Sequence, residues 1–331
     1  MPSFSIQVPD DYAGGGRLDS YVASLPGGMN RSHLKSGLLQ ILVNGKARKP
    51  SYKIRPGDQI LIDWEDTVPD DIEPENIPLS IIYEDSRVCV IDKAQGMVTH
   101  PAAGNWKGTL VNALLYHLGR EKIEQKKDAP ESELLLSRRP GIVHRLDKDT
   151  SGVIITAKDS ASQEWLSAQF RNHRRMVKEY IAICQGRPPS SQGVIRTWIV
   201  RDPRDRKRFK AVSGSGEGKY AETAYRCIAC YGEYSLVVLR LATGRTHQIR
   251  VHMRYLNCPV LGDILYGHED KNFPHATLML HARLLKIRLP GDGKASGFRS
   301  STPARFRDVM RVLHRKYKKV ILPKAGQEAV R

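Results

Sequence analysis

The spacing of hydrophobic residues divides the chain into three blocks. Residues 1–63 contain two stretches with apolar residues at helical spacing, RLDSYVASL and RSHLKSGLLQ, which predict two helices. Short apolar runs follow, separated by Asn44-Gly45 and Pro56-Gly57-Asp58, and an Asn-Gly pair between such runs predicts a β-hairpin. Residues 64–78 are acidic and carry three prolines, which predicts an extended, solvated linker before the large block, residues 79–331.

The large block combines many predicted strands with few predicted helices. Its strand-like runs are SIIYEDSRVCVIDK, GVIITAKD, KEYIAICQG, YSLVVLRLATG and TLMLHARLLKIRLP, and its helical patterns are TLVNALLYHL and SASQEWLSAQFRNHR. Because the strands do not alternate regularly with helices, we predict an α+β fold with a mostly antiparallel or mixed central sheet. Residues 121–133 predict an exposed loop. The stretch TPARFRDVMRVLHRKYKKV predicts a basic helix with a Thr cap and Pro303 in its first turn.

Composition and charge indicate the kind of partner. The chain has 53 Lys and Arg against 35 Asp and Glu, a formal charge of +18, and 40% hydrophobic residues, enough for a core. Such an excess favours a polyanionic partner, most often nucleic acid, although a basic soluble protein is the simpler alternative. No apolar run is long enough for a membrane helix, and the first residues lack the pattern of a signal peptide, so we expect a cytoplasmic protein.

The five cysteines do not predict a disulfide framework, since their number is odd and their spacing scattered. Cys227 and Cys230 form a C-x-x-C, but no second pair completes a zinc site. Their surroundings predict a strand, in which residues three apart point to opposite faces. We therefore expect reduced structural thiols rather than metal or redox chemistry.

A polar cluster lies directly before a β-branched strand in GIVHRLDKDTSGVIITAK, residues 141–158. Loops at strand ends often display catalytic groups on a rigid scaffold. Asp147 is flanked by Arg145 and Lys148, which favour its anionic form. A turn or cap formed by Asp147 or Asp149 is the alternative, and composition alone would favour it.

A second cluster, ATGRTHQIRVH, covers residues 242–252. The Thr-Gly pair ends a strand, and a helix is predicted from Arg245, with His247 and Arg250 within reach of one face. His247 and His252 are five residues apart, which is poor spacing for two metal ligands on one helix, and we predict no metal site. A basic helix surface is the alternative explanation.

The two clusters together resemble the signature motifs of the RluA-type pseudouridine synthases. Other parts follow in that family's order: EDSRVCVIDKAQGMVTHPAAGN, GTLVNALLYHL, KEYIAICQG and LGDILYG. The resemblance covers nearly all of residues 79–290, and the HPAAGN and GTLVNALLYH stretches are most similar to the RluD-like branch, which acts on large-subunit ribosomal RNA. Residues 1–63 resemble the small RNA-binding domain of the ribosomal-protein-S-four type.

The resemblance implies an isomerase that flips a uridine out of structured RNA and converts it to pseudouridine without a cofactor. It assigns the catalytic carboxylate to Asp147, a basic partner to Arg250 and an aromatic residue that stacks on the uracil to Tyr180. Arg145 would fill the space that the flipped base vacates. The other predicted RNA-contacting residues are His144, Arg245 and His247 in the large block and Arg17 and Arg31 in the first block.

Three alternatives stay open at this point. The chain can be a non-catalytic RNA-binding or ribosome-assembly protein on the same fold, or a glycosidase-like hydrolase that uses Asp147 and Asp149. As a synthase, it can act on transfer RNA instead of ribosomal RNA. We expect a monomer.

Overall fold

The computed structural model divides the chain into two compact units, Met1–Asp70 and Asp71–Arg331. The residues that the structure describes are 3–25, 38–64, 71–102, 105–120, 123–124, 140–172, 176–205, 207–214, 217–291 and 295–321. The boundary between the units falls inside the predicted linker. Within the described ranges, no helix is long and apolar enough to cross a membrane.

The first unit contains a four-stranded antiparallel sheet and one described helix. Its elements are β1 (Ser3–Gln7), α1 (Leu18–Ser24), β2 (Leu38–Val43), β3 (Lys46–Ala47) and β4 (Gln59–Trp64), with strand order β1-β4-β2-β3. The predicted hairpin is present between β2 and β3. Asn44 and Gly45 both have positive φ, 52° and 74°, as a tight turn of this twist requires.

The predicted second helix of this unit is wrong over its last three residues. Residues 38–40 belong to β2, because they pair with β4. The rest of that stretch, including Arg31, lies outside the described residues.

An eleven-stranded mixed sheet forms the second unit. Its strands are β6 (Ser80–Glu84), β7 (Val88–Lys93), β9 (Ser151–Ala157), β10 (Val177–Gln185), β11 (Gln192–Arg201), β12 (Phe209–Val212), β13 (Lys219–Tyr231), β14 (Tyr234–Leu241), β15 (Leu280–Arg288), β16 (Ala295–Arg299) and β17 (Lys319–Val320). The order is β12-β11-β13-β14-β10-β15-β9-β7-β6, with β16 paired to β15 and β17 to β13. All described pairings are antiparallel except that of β15 with β9. The predicted α+β fold with a mixed sheet is therefore confirmed.

The parallel pairing of β15 with β9 depends on one glycine. Gly152 has φ of +113°, and a Cβ there would lie 2.2 Å from the carbonyl oxygen of Ala282. No side chain fits between the two backbones, so any other residue would force β9 away from β15. The glycine that closes the DTSG stretch thus allows the strand after the Asp147 loop to pair with β15.

Four described helices accompany the sheet: α2 (Leu110–His117), α3 (Ser160–Asn172), α4 (Gln248–Tyr255) and α5 (Ala304–Lys316). The side chain of Thr109 accepts a hydrogen bond from the backbone N–H of Asn112, which caps α2. Helix α5 confirms the predicted basic helix as far as Lys316, but Lys319–Val320 form β17 instead of continuing it. Its N-cap is Pro303 and no side chain caps it, so the predicted Thr cap is wrong.

The second unit begins at Asp71, inside the segment 64–78 that was predicted to be a linker. Asp71–Ile72 form strand β5, which pairs with β8 (Ile123–Glu124), and Ile72 is buried in the main hydrophobic cluster. The Glu75 carboxylate accepts from the backbone N–H of Gly108. Residues from Asp71 onward are therefore held by contacts within the second unit. The predicted exposed loop lies outside the described residues except for the two residues of β8.

The side chains of Cys227 and Cys230 meet, contrary to the expectation from strand alternation. Their sulfur atoms are 3.6 Å apart, because a bulge between Cys227 and Ala229 shifts the register of β13 against β14. Burial raises the pKa of the Cys227 thiol to about 12. Both cysteines are free, as predicted.

Two buried histidines should make the fold sensitive to acid. His252 and His281 are fully buried, and burial lowers the pKa of each to about 4. An unfolded histidine titrates near pH 6.5, so the unfolded chain binds more protons between about pH 6.5 and 4, and stability falls as the pH falls through that window. Each histidine should cost roughly 2 kcal/mol at pH 5 relative to pH 7.

Urea unfolding at pH 7 and pH 5 measures this loss. His252→Gln should reduce the difference between the two pH values by roughly 2 kcal/mol, whereas His275→Gln, at an exposed position, should leave the difference unchanged. Equal stability of the unsubstituted protein at the two pH values would contradict the prediction.

Candidate active site

Hydrogen bonds to backbone carbonyl groups fix the loop that carries Asp147. The backbone N–H of Thr150 donates to the Asp147 carbonyl, and Thr99 Oγ1 donates to the carbonyl of the buried Leu146 over 2.8 Å. The ammonium of Lys93 donates to the carbonyl of Lys148 over 3.1 Å. These contacts fix the backbone and leave the carboxylate 17% exposed.

Lys93 is itself buried, and its ammonium also donates to the carbonyls of Ala94 and Met97. Burial lowers its pKa to about 8, while the negative charges of Asp147 and Asp149 act in the opposite direction. The lysine thus ties the strand end of β7 to the Asp147 loop through three carbonyl oxygens.

The second cluster begins its helix later than predicted. Helix α4 starts at Gln248, and His247 is its N-cap with φ 56° and ψ 18°, a left-handed conformation. The Gln248 Oε1 accepts from the Thr243 hydroxyl and from the backbone N–H of Arg245, over 2.7 and 2.9 Å. These bonds hold the connection from β14 in a tight bend, which turns His247 and Arg250 toward Asp147.

The guanidinium of Arg250 contacts two carboxylates, those of Asp147 and Asp263. Its Nη1 lies 3.5 Å from Asp147 Oδ2, whereas Nε and Nη2 donate to both oxygens of Asp263 over 2.7 and 2.8 Å. Burial alone would lower the arginine pKa, but the hydrogen bonds and charge of Asp263, with the charge of Asp147, raise it. The arginine is therefore a fixed cation whose main partner is Asp263.

Sequence reasoning did not single out Asp263. The residue is fully buried, and it also accepts from the backbone N–H groups of Leu265 and Tyr266. The LGDILYG stretch that contains it was noted only for its place in the family order. The available signal was a charged residue in an otherwise apolar stretch, since Leu261 and Gly262 precede Asp263 and Ile264 follows it.

His247 faces Asp147 from the other side. Its Nε2 lies 4.0 Å from Asp147 Oδ2, and its Nδ1 lies 2.8 Å from the Tyr266 hydroxyl, which accepts from the backbone N–H of Phe209. Burial lowers the histidine pKa, although Asp147 acts against this. When the neutral ring accepts a hydrogen bond from the Tyr266 hydroxyl at Nδ1, its own N–H is on Nε2 and points toward Asp147.

Tyr180 lies on β10 at the wall of the same cavity. It is only 8% exposed and packs in the main core cluster, so it is both a core residue and a lining residue. Burial, followed by the charge of Asp147, raises its pKa, so the hydroxyl stays protonated. The cavity has a volume of about 1160 Å³, and its lining includes Arg145, Asp147, Lys178, Tyr180, Arg245 and Arg250. This is ample space for a nucleotide.

The remaining predicted residues have different surroundings. Arg145 is exposed at the cavity, and Arg245 donates through Nε to the carbonyl of Tyr220. The His144 ring also lines the cavity, but it stacks on Phe170 at 4.4 Å, and its Nε2 accepts from the backbone N–H of Ile155.

Burial lowers the His144 pKa to about 3, so this ring is neutral and supports the loop. Arg17 belongs to the first unit, where its Nε and Nη2 donate to the two oxygens of the Asp19 carboxylate.

In the part of the chain that the structure describes, one group of side chains has metal-ligand spacing. The donor atoms of Glu84, Cys89 and His117 lie within 4.8 Å of one another. The Lys158 ammonium binds Glu84 over 2.9 Å and competes with any cation there. None of the three residues lines the cavity around Asp147.

Comparisons with known proteins show to which family the chain belongs. The sequence model of a family described as RNA pseudouridylate synthase matches residues 87–255. The ribosomal large subunit pseudouridine synthase D of Borreliella burgdorferi is 43% identical over 299 residues, covering 88% of this chain and 87% of that protein. The protein of the same name from Zymomonas mobilis is 39% identical, covering 92% and 95%.

Among solved structures, human RNA pseudouridylate synthase domain containing 4 superposes with a TM-score of 0.53 at 25% identity, covering 71% of this chain and 93% of that one. The fold is thus that of an RNA-modifying isomerase. The chain belongs to the RNA pseudouridylate synthase family, as a member of its RluA type. The predicted enzyme class is confirmed, and the family supports neither the hydrolase nor the non-catalytic alternative.

Proposed function

We propose that this enzyme isomerises specific uridines in large-subunit ribosomal RNA, with Asp147 as the catalytic carboxylate. The observation that carries the catalytic part is the meeting of Asp147, Tyr180 and Arg250 in one cavity, although they come from three distant segments. The names of the bacterial relatives support ribosomal RNA as the substrate. Transfer RNA is the alternative substrate.

In the proposed reaction, the bond between ribose C1′ and uracil N1 breaks, and a bond from C1′ to C5 of the rotated base forms. N1 gains a proton and C5 loses one, so no redox partner or second substrate is consumed. Cleavage builds positive charge on the ribose, which a carboxylate can stabilise or trap, as in glycosidases. Asp147 supplies that carboxylate, and Arg250 favours and orients its ionised form.

The uridine must leave its stack before this chemistry. Flipping costs a few kcal/mol, least in loops and mismatches. Arg145, exposed at the cavity, is placed to occupy the vacated space, and the Tyr180 ring on the cavity wall is placed to stack on the uracil. His144 and His247 remain neutral and shape the walls around the base.

The first unit is proposed to be an RNA-binding domain of the ribosomal-protein-S-four type, spanning residues 1–63, with Arg17 and Arg31 among its RNA contacts. Residues 64–78 would join it to the catalytic domain, residues 79–331. Residues 71–78 of this segment belong to the second compact unit. We propose that the enzyme acts as a monomer in the cytoplasm, where an assembling ribosome would present its RNA.

Removing residues 1–63 should weaken RNA affinity while the Asp147 cavity keeps its residues. Filter binding of transcribed large-subunit ribosomal RNA measures the effect, and single-turnover assays at saturating RNA test whether the chemical step survives. Unchanged affinity would contradict an RNA-binding role for the first unit.

A pseudouridine map tests the proposed substrate. Ribosomal and transfer RNA are mapped in cells that lack the gene and in cells rescued with the wild type or with Asp147→Asn. Sites in large-subunit RNA should disappear in the deletion and return only with the wild type. Loss confined to transfer RNA would replace the proposed substrate by the alternative.

A further inference from the structure

His247 has a backbone conformation that does not favour a side chain. Its φ is 56°, in a region that glycine enters freely and that costs free energy for a residue with a Cβ. The imidazole makes no capping hydrogen bond to α4, and it lines the cavity with 17% of its side chain exposed. Helix geometry therefore gives no reason for an imidazole here, whereas residues held in such conformations cluster at active sites.

The Tyr266 hydroxyl fixes which nitrogen of this ring carries the proton. Its oxygen accepts from the backbone N–H of Phe209 over 2.9 Å and lies 2.8 Å from His247 Nδ1. Tyr266 is only 6% exposed, and in the described part of the chain Nδ1 is the one acceptor within reach of its hydroxyl. A buried hydroxyl donates where an acceptor is available. Because burial lowers the His247 pKa, the ring is neutral and its hydrogen lies on Nε2.

The N–H on Nε2 is not used by the enzyme itself. Asp147 Oδ2 lies 4.0 Å from Nε2, whereas an N–H···O hydrogen bond spans at most about 3.2 Å. Among the residues that the structure describes, none offers this nitrogen a closer acceptor. A few fixed polar groups in a cavity orient its ligand. The geometry thus leaves one donor for the substrate, beside the carboxylate of Asp147.

The proposed reaction brings a suitable acceptor close to Asp147. The carboxylate acts at ribose C1′, which is bonded to uracil N1, and the carbonyl oxygen O2 is attached to the ring carbon next to N1. When the bond from C1′ to N1 breaks, its electron pair leaves with the base. The negative charge then spreads over N1 and the carbonyl oxygens. A fixed donor aimed at such an oxygen stabilises the charge as it forms.

We propose that His247 donates a hydrogen bond from Nε2 to O2 of the flipped uracil and stabilises the negative charge that leaves with the base. This inference rests on the proposed function, because it assumes that Asp147 acts on a uridine in the cavity. His247 is then a catalytic residue that keeps its proton throughout. Tyr266 is a positioning residue that holds the imidazole, and the Arg250 guanidinium carbon lies 5.1 Å from the centroid of its ring.

His247→Leu tests the donor. The single-turnover rate at saturating RNA should fall about 10²- to 10³-fold, the scale for one lost donor to a developing oxyanion, while RNA affinity stays near that of the wild type. His247→Gln should restore much of the rate, since its amide N–H can take the place of Nε2. Tyr266→Phe keeps the ring and should lower the rate by less than His247→Leu does. A wild-type rate in His247→Leu would overturn the proposal.

Tyr225→Phe is the matched control for Tyr266→Phe. Tyr225 is also 6% exposed, its hydroxyl lies 3.1 Å from that of Ser190, and it does not line the cavity. Its substitution should leave the rate unchanged. An equal loss in the two tyrosine variants would show that Tyr266 acts only through the stability of the fold.

Nitrogen NMR of protein labelled at its histidines reads the tautomer without RNA. The His247 signals are assigned by their loss in His247→Gln. At neutral pH the hydrogen should lie on Nε2, and the Nδ1 resonance should shift in Tyr266→Phe because it loses its hydrogen bond. A hydrogen on Nδ1 in the wild type would overturn the proposal.

Replacing O2 of the substrate identifies the acceptor. RNA with 2-thiouridine at the modified site presents a sulfur, which is a weaker acceptor than oxygen. With this RNA, His247→Leu should lower the rate by a much smaller factor than with uridine. Equal factors for the two substrates would exclude O2 as the acceptor.

Failure of the proposed function is a different outcome. If the wild type forms no pseudouridine in the ribosomal transcript, the substrate proposal fails. The same variants are then compared on the RNA class that loses pseudouridine in the deletion strain, where a slow His247→Leu supports the donor and a wild-type rate refutes it. Retained turnover in Asp147→Asn refutes the carboxylate, whereas retained turnover in His247→Leu refutes only the donor.

Discussion

Asp147→Asn should reduce pseudouridine formation by at least about 10⁴-fold, the scale seen when a central catalytic group is removed, while RNA binding and the fold remain. The asparagine is isosteric but cannot stabilise or trap positive charge on the ribose. Arg250 keeps its two bonds to Asp263 in this variant, so no buried charge is left without a partner. Single-turnover assays and filter binding with the same RNA measure the two properties separately.

Asp149→Asn is the matched control. Asp149 lies two residues further along the same loop, is exposed and does not line the cavity. Its substitution should leave turnover near the wild-type rate. Retained turnover in Asp147→Asn, or an equal loss in both variants, would refute the assignment of the catalytic carboxylate.

Asp263→Ala should destabilise the protein by about 3–5 kcal/mol, because it leaves the buried Arg250 without its main counter-charge. The variant also leaves the backbone N–H groups of Leu265 and Tyr266 without their acceptor. Asp147, at 3.5 Å from Nη1, replaces only part of this interaction. The free energy of urea unfolding measures the loss.

The double variant Arg250→Met with Asp263→Ala should recover part of the lost stability, since the unpaired charge is then absent. A double-mutant cycle gives the coupling between the two side chains. Additive effects, or a loss below about 1 kcal/mol in Asp263→Ala, would show that the pair contributes little.

Local patterns in the sequence predicted much of the fold. Asn44-Gly45 identified a hairpin from two adjacent residues, and the alternation and length of the apolar runs identified β7, β9, β10, β14 and β15. The α+β class followed from the same runs. These features depend on residues close together in the chain, which is why sequence reasoning could find them.

Features that depend on long-range pairing were missed. The bulge in β13 that joins Cys227 to Cys230 exists only against β14, and Asp263 becomes important only when Arg250 is folded against it. Family resemblance singled out Asp147, Tyr180 and Arg250 as candidates, whereas residue patterns alone favoured a turn at Asp147 and left a basic helix surface as the alternative around Arg250. Tyr180 packs in the core and also lines the cavity. The periodicity of a strand predicts that such a residue is buried, but it does not predict that the residue faces a cavity.

The position of β15 has a consequence during synthesis of the chain. In the described sheet, β15 alone joins β9, next to the Asp147 loop, to β10, which carries Tyr180. During synthesis, Asp147 and Arg250 are therefore both present in the nascent chain before β15, the strand that connects the two parts of the sheet, has been made. At about 5–20 residues per second, completing residues 251–288 takes roughly 2–8 s. During that interval the two parts of the sheet that carry the Asp147 loop and Tyr180 lack the strand that joins them.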